Sequence, residues 1–359
     1  MRDEGIVVYA GEGSSHSWAW LADLFESRGI LDVRFLDAPA LVGHLDGGAG
    51  TVIVSGGDGL LIAEAFRGSV FSGLQTFVRG GGRYVGMCAG AYLPLPSSLP
   101  PLDEFNLSTT RIENIGPLIS DRAVQSPRLA VRYGSCSIVH PFRGPVELRG
   151  DGVTVRAPLY GGPVFRSPAE DEVVLRYGAF TDGTEFQVER ARAERLVLGK
   201  PAVIRSRCGS GELLLLGPHL EHPKYPEANE FFLKLIGSPA GRARGRPGPS
   251  REDGPHESKA RLGDLKVAVL GLENRSFVVG NKLWDGGRLL ELTAAIQKRV
   301  SGLDEATQQS VAAKLARVRS MLVGAHPEVI DDSDSAPGLL VDAARECVDR
   351  HFAMLRGER

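Results

Sequence analysis

The chain has 359 residues, a length typical of about two domains, and its 42% hydrophobic and 24% charged residues are usual for a globular protein. A formal net charge of -2 argues against overall affinity for nucleic acid or anionic membrane. Apolar runs such as 213–216 and 267–270 are too short for a membrane span.

The first residues of the chain indicate the cellular compartment, and the cysteine spacing indicates which kinds of cysteine site to expect. The first residues lead directly into a strand-like run and lack the apolar stretch of a secretory signal, so we expect a cytoplasmic protein. The four cysteines are scattered without a C-x-x-C pair, which argues against a disulfide scaffold or a zinc ribbon. We therefore expect no metal and no cofactor.

The first third of the chain alternates strand-like and helix-like segments. Apolar runs at 5–9, 33–36, 51–55 and 84–87 are separated by segments with helical spacing of apolar residues. This alternation predicts an α/β fold with a mainly parallel sheet flanked by helices. Shorter β-like pieces between about 129 and 216 predict further strands, some of them antiparallel.

A change of composition marks the predicted domain boundary. We predict an α/β domain over 1–237, a flexible linker rich in Gly, Pro and charge over 238–262, and a small helical module over 263–359. Residues 265–279 fit either a strand or a helix. The amphipathic helices of the module are too small for a stable core of their own, so we expect docking on the first domain or a homo-oligomer.

The sequence Gly86-Met-Cys88-Ala-Gly90 follows a predicted strand and precedes a predicted helix. Small flanking residues permit a sharp strand-to-helix turn that exposes a nucleophile, and the amide N–H groups of the helix start lower the pKa of a thiol. Cys88 is therefore the candidate nucleophile. The alternative is a small buried residue at a strand end, with a role in packing.

A nucleophilic thiol needs a proton carrier and an oxyanion site. Four leucines lead into His219, and Glu221 stands two residues later, so His219 is the candidate base and Glu221 orients its imidazole. Alternatives are that His222 faces the cleft, or that His219 only satisfies local backbone. The backbone N–H groups of Gly57 and Ala89 are the candidate oxyanion hole.

These motifs resemble the class I glutamine amidotransferase-like superfamily. The resemblance is narrower to the branch named after the N-terminal domain of some biotin-protein ligases, and covers about residues 4 to 236. It is carried by the segments 8–15, 86–92, 160–165 and 217–223. The resemblance implies a flavodoxin-like sheet and a Cys-His-Glu triad formed by Cys88, His219 and Glu221.

The resemblance also implies a class of reaction and further site residues. We expect hydrolysis or transfer of an amide nitrogen through a thioester, with a small-molecule or peptide amide as substrate. Alternatives are a non-catalytic ligand-binding or scaffold protein, and a glutaminase subunit that delivers ammonia to a separate synthetase. In a related protease and deglycase branch an acidic residue of the first loop touches the cysteine, so Glu12, with Ser14 and Gly56, is a candidate substrate or proton partner.

Overall fold

The computed structural model describes residues 5–45, 49–113, 130–133, 136–139, 141–166, 172–186, 188–237, 256–270, 276–279, 282–324 and 335–358. Its strands are β1 (Gly5–Tyr9), β2 (Val33–Leu36), β3 (Ala49–Val54), β4 (Arg83–Met87), β5 (Ala130–Tyr133), β6 (Cys136–Val139), β7 (Phe142–Gly150), β8 (Val153–Leu159), β9 (Glu172–Phe180), β10 (Glu185–Phe186), β11 (Pro201–Cys208), β12 (Gly211–Leu216), β13 (Ser276–Val279) and β14 (Lys282–Asp285). Its α-helices are α1 (Ser17–Ser27), α2 (Ala38–Leu45), α3 (Gly59–Phe66), α4 (Ser69–Arg79), α5 (Ala89–Tyr92), α6 (Arg190–Val197), α7 (Pro226–Leu235), α8 (His256–Leu270), α9 (Gly286–Gln297), α10 (Glu305–Gly324) and α11 (Ala336–Leu355).

One 10-stranded sheet organises the described residues, with the order β10-β7-β9-β11-β12-β4-β3-β1-β2 and β8 paired with β7. Strands β12, β4, β3, β1 and β2 pair with one another in parallel. Beyond β12 the sheet continues with antiparallel pairs of the strands β11, β9, β7, β8 and β10. The predicted α/β class, with a mostly parallel central sheet flanked by helices, is confirmed.

The central strands are buried on both faces, which explains their continuous apolar runs. All four leucines of β12 from Leu213 to Leu216 have no exposed surface, and four of the five residues of β4 are buried. Helices cover both faces of such strands because parallel neighbours need crossover connections. Buried residues form one core on each side of the sheet.

The C-terminal part differs in detail from the predicted pattern. Helix α8 begins at His256, so residues 256–262 of the predicted linker are helical, because Leu262 and Leu265 are buried and contribute to the core. Residues 238–255 lie outside the described part. The segment that fitted either strand or helix contributes to both, since α8 ends at Leu270 and β13 pairs antiparallel with β14. The division into domains stays a prediction.

The C-terminal helices pack against the edge of the sheet at β2. The rings of Phe352 and Phe35 lie 5.2 Å apart, and the Asp349 carboxylate accepts a hydrogen bond of 2.8 Å from the backbone N–H of Phe35. Residues of α9, α10 and α11 share one hydrophobic core with α1 and β1. Within the described residues, none of the helices combines the length and the apolar character that a membrane crossing requires.

Candidate active site

Cys88 lies at a sharp turn between β4 and α5. Its backbone has φ 51° and ψ −110°, a conformation that L residues other than Asn and Asp seldom adopt. The two flanking glycines are required by close contact: a Cβ at Gly86 would lie 2.4 Å from the Gly90 carbonyl oxygen, and one at Gly90 would lie 2.0 Å from that of Val54. The local geometry is that of a nucleophile elbow.

The pairing of two parallel strands brings His219 to Cys88. Strand β12 runs beside β4 with Leu216 opposite Met87, and the backbone N–H of Cys88 donates to the Leu216 carbonyl at 2.9 Å. His219 follows β12, and its imidazole is near enough to the Cys88 thiol to lower the pKa of that thiol. The carboxyl ends of neighbouring parallel strands meet at one sheet edge, and this edge carries both groups.

Glu221 completes a chain of three side chains. His219 Nδ1 lies 2.7 Å from Glu221 Oε1, and the two residues are 4% and 1% exposed. The carboxylate accepts the Nδ1 hydrogen and leaves the other ring nitrogen to the thiol. The three predicted residues therefore lie at one edge of the sheet, with the imidazole held by the Glu221 carboxylate and near enough to Cys88 to lower the pKa of the thiol.

The charges of this chain favour the ionised thiol. Burial raises the pKa of Cys88, but the charge and hydrogen bond of His219, with a further contribution from Lys282, outweigh it and leave the pKa below its ordinary value. Burial lowers the pKa of His219, and the charges of Glu221 and Cys88 outweigh this and raise it. The arrangement stabilises a thiolate next to an imidazolium.

Two more histidines, His222 and His16, lie near the site, and their imidazoles are neutral. Burial and the nearby charges of His219 and Lys224 lower the pKa of His222 to about 4, and burial holds that of His16 well below its usual value. Both rings contact Trp20, with ring centroids 4.5 Å away for His222 and 4.9 Å for His16. Of these histidines, His219 is the one whose charge lowers the pKa of Cys88.

Two backbone N–H groups, that of Gly57 between β3 and α3 and that of Ala89 directly after Cys88, were predicted to bind an anion. Within the described residues, the N–H groups of Gly57 and Ala89 donate no hydrogen bond, although the residues around them do. Gly57 is fixed by an antiparallel bridge to Ser14, and a Cβ at Gly57 would lie 2.2 Å from the Gly13 carbonyl oxygen. These are the two amides that the sequence predicted for an oxyanion hole.

The predicted substrate or proton partners Glu12, Ser14 and Gly56 differ in their surroundings. Gly56 lies against the base, since an added Cβ would be 2.9 Å from His219 Cε1, and its own N–H donates to the Ser17 hydroxyl at 3.1 Å. The buried Ser14 hydroxyl donates to the Gly11 carbonyl at 2.6 Å. Glu12 is exposed. A direct role for these three residues in the reaction stays a prediction.

Several residues near the site carried no recognised signal in the sequence. The ring of Trp20 lies 5.8 Å and that of Tyr160 5.7 Å from the His219 ring. Charged groups of Arg143, Lys282 and Arg288 are near enough to act on Cys88 or Tyr160. Tyr160 belonged to a motif of the resemblance. The others come from segments distant in the chain, so only the packing of these segments reveals them.

The described residues include no group of three or more His, Cys, Asp or Glu side chains arranged to hold a metal ion. The candidate groups of this site are the Cys88 thiol, the His219 imidazole and the amide N–H groups of Gly57 and Ala89. Such a set supports nucleophilic attack on a carbonyl carbon.

Comparison with known proteins finds one matching family and several similar solved structures. The family described as "Biotin-protein ligase, N terminal" matches residues 6–97, which include Cys88 and end before His219. A glutamine amidotransferase structure is 18% identical, with 65% of this chain and 98% of that chain covered and a TM-score of 0.42. A putative ThuA-like protein from Bacteroides uniformis is 11% identical, with 60% and 82% covered and a TM-score of 0.35.

A β-galactosidase from Bacillus circulans sp. alkalophilus is 14% identical, with 66% of this chain and 30% of that chain covered and a TM-score of 0.36. Comparison with curated proteins gives no significant match. Residues 6–97 are thus similar to the N-terminal domain of biotin-protein ligases, the relationship that the motifs around Cys88 predicted.

Proposed function

We propose that this protein is a cysteine-dependent amide hydrolase of the amidotransferase-like type, with Cys88, His219 and Glu221 as its triad. The observation that carries the proposal is the buried pair of Glu221 and His219 Nδ1, 2.7 Å apart, at the sheet edge where Cys88 occupies a turn with positive φ and has its pKa lowered by His219. Structural cysteines have no need of a strained backbone, a buried imidazole and a buried carboxylate together.

The first half of the reaction forms a thioester. The Cys88 thiolate attacks the amide carbonyl carbon, and the π electrons of the carbonyl move to its oxygen, which accepts hydrogen bonds from the N–H groups of Gly57 and Ala89. The His219 imidazolium gives its proton to the amide nitrogen as the C–N bond breaks. Ammonia or an amine leaves, and the acyl group stays on sulfur.

The second half regenerates the enzyme. His219, now neutral, takes a proton from a water molecule whose oxygen attacks the thioester carbonyl carbon. The C–S bond breaks, the carboxylic acid leaves and gives its proton to solvent, and the thiolate returns beside the protonated imidazole. Glu221 stays ionised throughout and holds the imidazole in the orientation that serves both halves.

Alkylation of the thiol tests the proposal before a substrate is known. Iodoacetamide forms a thioether with a thiolate and releases iodide, and intact mass spectrometry identifies the modified residue. We expect Cys88 to react faster at pH 7 than free cysteine, and His219→Gln to slow it. Cys208→Ala serves as a matched control, because Cys208 is partly exposed and lies at the end of β11.

The outcome of two assays decides the proposal. Hydrolysis of glutamine or of peptide amides that is lost in Cys88→Ala and kept in Cys208→Ala supports it. A Cys88 no more reactive than free cysteine at neutral pH overturns it and favours a ligand-binding role. Glutaminase activity that appears only with a second protein favours the ammonia-delivering alternative.

A further inference from the structure

Three buried serines form a line of hydroxyl groups beside the candidate oxyanion hole. Ser15 precedes α1, Ser17 is its first residue, and Ser55 directly follows β3. The Ser17 hydroxyl donates to Ser55 Oγ at 3.2 Å, and Ser15 Oγ lies 3.1 Å from Ser17 Oγ. Because a hydroxyl has one hydrogen and Ser17 gives it to Ser55, Ser15 is the donor to Ser17. The hydrogen bonds of this line therefore have one direction.

Ser17 connects this line of hydroxyl groups to the turn that follows β3. Its oxygen accepts a hydrogen bond of 3.1 Å from the backbone N–H of Gly56, in addition to the one from Ser15. A hydroxyl oxygen has two acceptor sites, so both sites of Ser17 are occupied. A Cβ at Gly56 would lie 3.0 Å from Ser17 Oγ and 2.9 Å from His219 Cε1. The turn is therefore packed between the Ser17 hydroxyl and the imidazole of the candidate base.

The peptide group between Gly56 and Gly57 has a fixed orientation. Its carbonyl oxygen, that of Gly56, accepts a hydrogen bond of 2.9 Å from the backbone N–H of Ser15. In a trans peptide the carbonyl and the following N–H point in opposite directions, so the Gly57 N–H points away from Ser15. Strand β3 has β1 on one side and β4 on the other. The Gly57 N–H is therefore directed to the side of β4, whose turn carries Cys88.

The turn after β3 is also anchored at both ends. The backbone N–H of Asp58 donates to the Gly13 carbonyl at 2.7 Å, which holds the turn to the loop after β1. At the other end, the Ser55 carbonyl accepts a hydrogen bond of 3.2 Å from the backbone N–H of Gly90 in α5. Gly57 therefore lies in a turn that is bound both to the first loop and to the helix that follows the candidate nucleophile.

We propose that Ser17 is a positioning residue of the reaction, whose hydroxyl fixes the Gly56 backbone and thereby directs the Gly57 N–H at the oxyanion. The inference rests on the proposed function and adds to it a residue that does not touch the substrate. An apolar side chain in place of Ser17 would leave the N–H of Gly56 without its acceptor. A hydrogen-bond donor that is held in place before the reaction stabilises a developing negative charge better than a mobile one.

Two reagents separate the oxyanion hole from the nucleophile. Iodoacetamide is attacked at a saturated carbon and loses iodide, so no oxyanion forms. With p-nitrophenyl acetate the thiolate attacks the carbonyl carbon, an oxyanion forms, and the C–O bond then breaks to release p-nitrophenolate while the acetyl group stays on sulfur. The part of each rate that Cys88→Ala abolishes belongs to Cys88. The ratio of acetylation to alkylation at Cys88, divided by the same ratio for free cysteine, therefore measures oxyanion stabilisation, and we expect it to exceed one in the wild type.

Three serine variants test the role of the Ser17 hydroxyl. Ser17→Ala should slow acetylation of Cys88 about tenfold, the effect of one hydrogen bond, and leave alkylation unchanged. Ser55→Ala removes the acceptor of the Ser17 hydrogen but keeps the bond to Gly56, so it should slow acetylation less, and it tests the proposal if Ser17→Ala fails to fold. Ser27→Ala is the matched control, because Ser27 ends α1 and its hydroxyl donates to the Leu24 carbonyl at 2.8 Å within that helix. It should change neither rate.

The two proposals fail in different ways. A wild-type Cys88 that reacts with iodoacetamide no faster than free cysteine overturns the nucleophile and, with it, the role of Ser17. Fast alkylation together with a ratio that Ser17→Ala leaves unchanged overturns the positioning role alone. Equal losses of acetylation and alkylation in Ser17→Ala also overturn it, because the hydroxyl then supports the fold as a whole and not the oxyanion hole.

Discussion

Arg299, which follows α9, donates a hydrogen bond of 2.6 Å from Nη2 to Glu26 Oε2 on α1, although its side chain is only 1% exposed. The same guanidinium group donates to Asp23 Oδ1 at 2.8 Å, and His351 Nε2 lies 3.2 Å from Glu26 Oε1. Because α1 also carries Trp20, this ion-pair cluster links the packing of the C-terminal helices to the environment of His219.

The first prediction concerns this cluster. Arg299→Ala should lower the free energy of unfolding by about 2 to 4 kcal/mol, because two carboxylates lose their partner and the buried guanidinium leaves a cavity. The carboxylates are about one third exposed, so the loss stays below that of a fully buried pair. Urea denaturation followed by tryptophan fluorescence measures the change.

A neighbouring ion pair provides the control. Arg28 pairs with Glu230 through side chains that are 35% and 40% exposed, so neither partner is buried as Arg299 is, and Arg28→Ala should cost less than about 1 kcal/mol. If Arg299→Ala and Arg28→Ala lower the free energy of unfolding by the same amount, Arg299 does not have the proposed anchoring role.

The second prediction is the pH dependence of the same anchor. Burial raises the pKa of Glu26, but the His351 hydrogen bond and the Arg299 charge outweigh it and lower the pKa to about 2. A carboxyl group with a depressed pKa stabilises the fold fully above its unfolded pKa of about 4.3 and loses this contribution as the pH falls toward 2.

The difference in unfolding free energy between wild type and Glu26→Gln should therefore be largest above about pH 5 and shrink toward pH 2. Denaturant titrations at a series of pH values measure it. Glu194→Gln is the control, since Glu194 forms an exposed pair with Arg190 within α6. A Glu26→Gln difference that does not change with pH rules out the ionised anchor.

The third prediction addresses the Glu221 carboxylate. Its charge raises the pKa of His219 and thereby stabilises the imidazolium beside the thiolate. It also repels the thiolate, but Glu221 contacts His219 directly, so the first effect dominates. In Glu221→Gln the pKa of the Cys88 thiol should rise, and turnover should fall by about two orders of magnitude or more.

The rate of alkylation by iodoacetamide against pH measures this shift. In the wild type the rate should reach half of its maximum below the value of about 8.5 for free cysteine, and in Glu221→Gln the curve should move to higher pH. Overlapping curves for the two proteins are incompatible with the assigned role of Glu221.

The fourth prediction tests the turn at Cys88. A Cβ at Gly90 would lie 2.0 Å from the Val54 carbonyl oxygen, a backbone atom in β3, so Gly90→Ala should destabilise the fold by about 1 to 3 kcal/mol and displace the thiol. Gly43→Ala is the matched control, and its effect on stability should have the opposite sign. It lies in α2 with open space around it and should stabilise by about 0.5 to 1 kcal/mol. Thermal unfolding and Cys88 alkylation give the two readouts.

The sequence by itself determined the local features of the site. The apolar run of a buried strand, the Gly-x-Cys-x-Gly pattern around Cys88 and the His-x-Glu spacing each involve residues only a few positions apart, and such patterns report backbone geometry directly. The same locality explains why the α/β alternation and the amphipathic C-terminal helices could be predicted.

Only the tertiary structure decided which segments meet. The parallel pairing of β4 with β12 joins Cys88 to His219, and the packing of α9 against α1 brings Trp20 to Glu291, 271 residues later in the chain. The buried Arg299 looks like any surface arginine in the sequence, because its partners Asp23 and Glu26 belong to a distant helix. Strand order and helix docking arise from the burial of many side chains at once, and no short pattern encodes them.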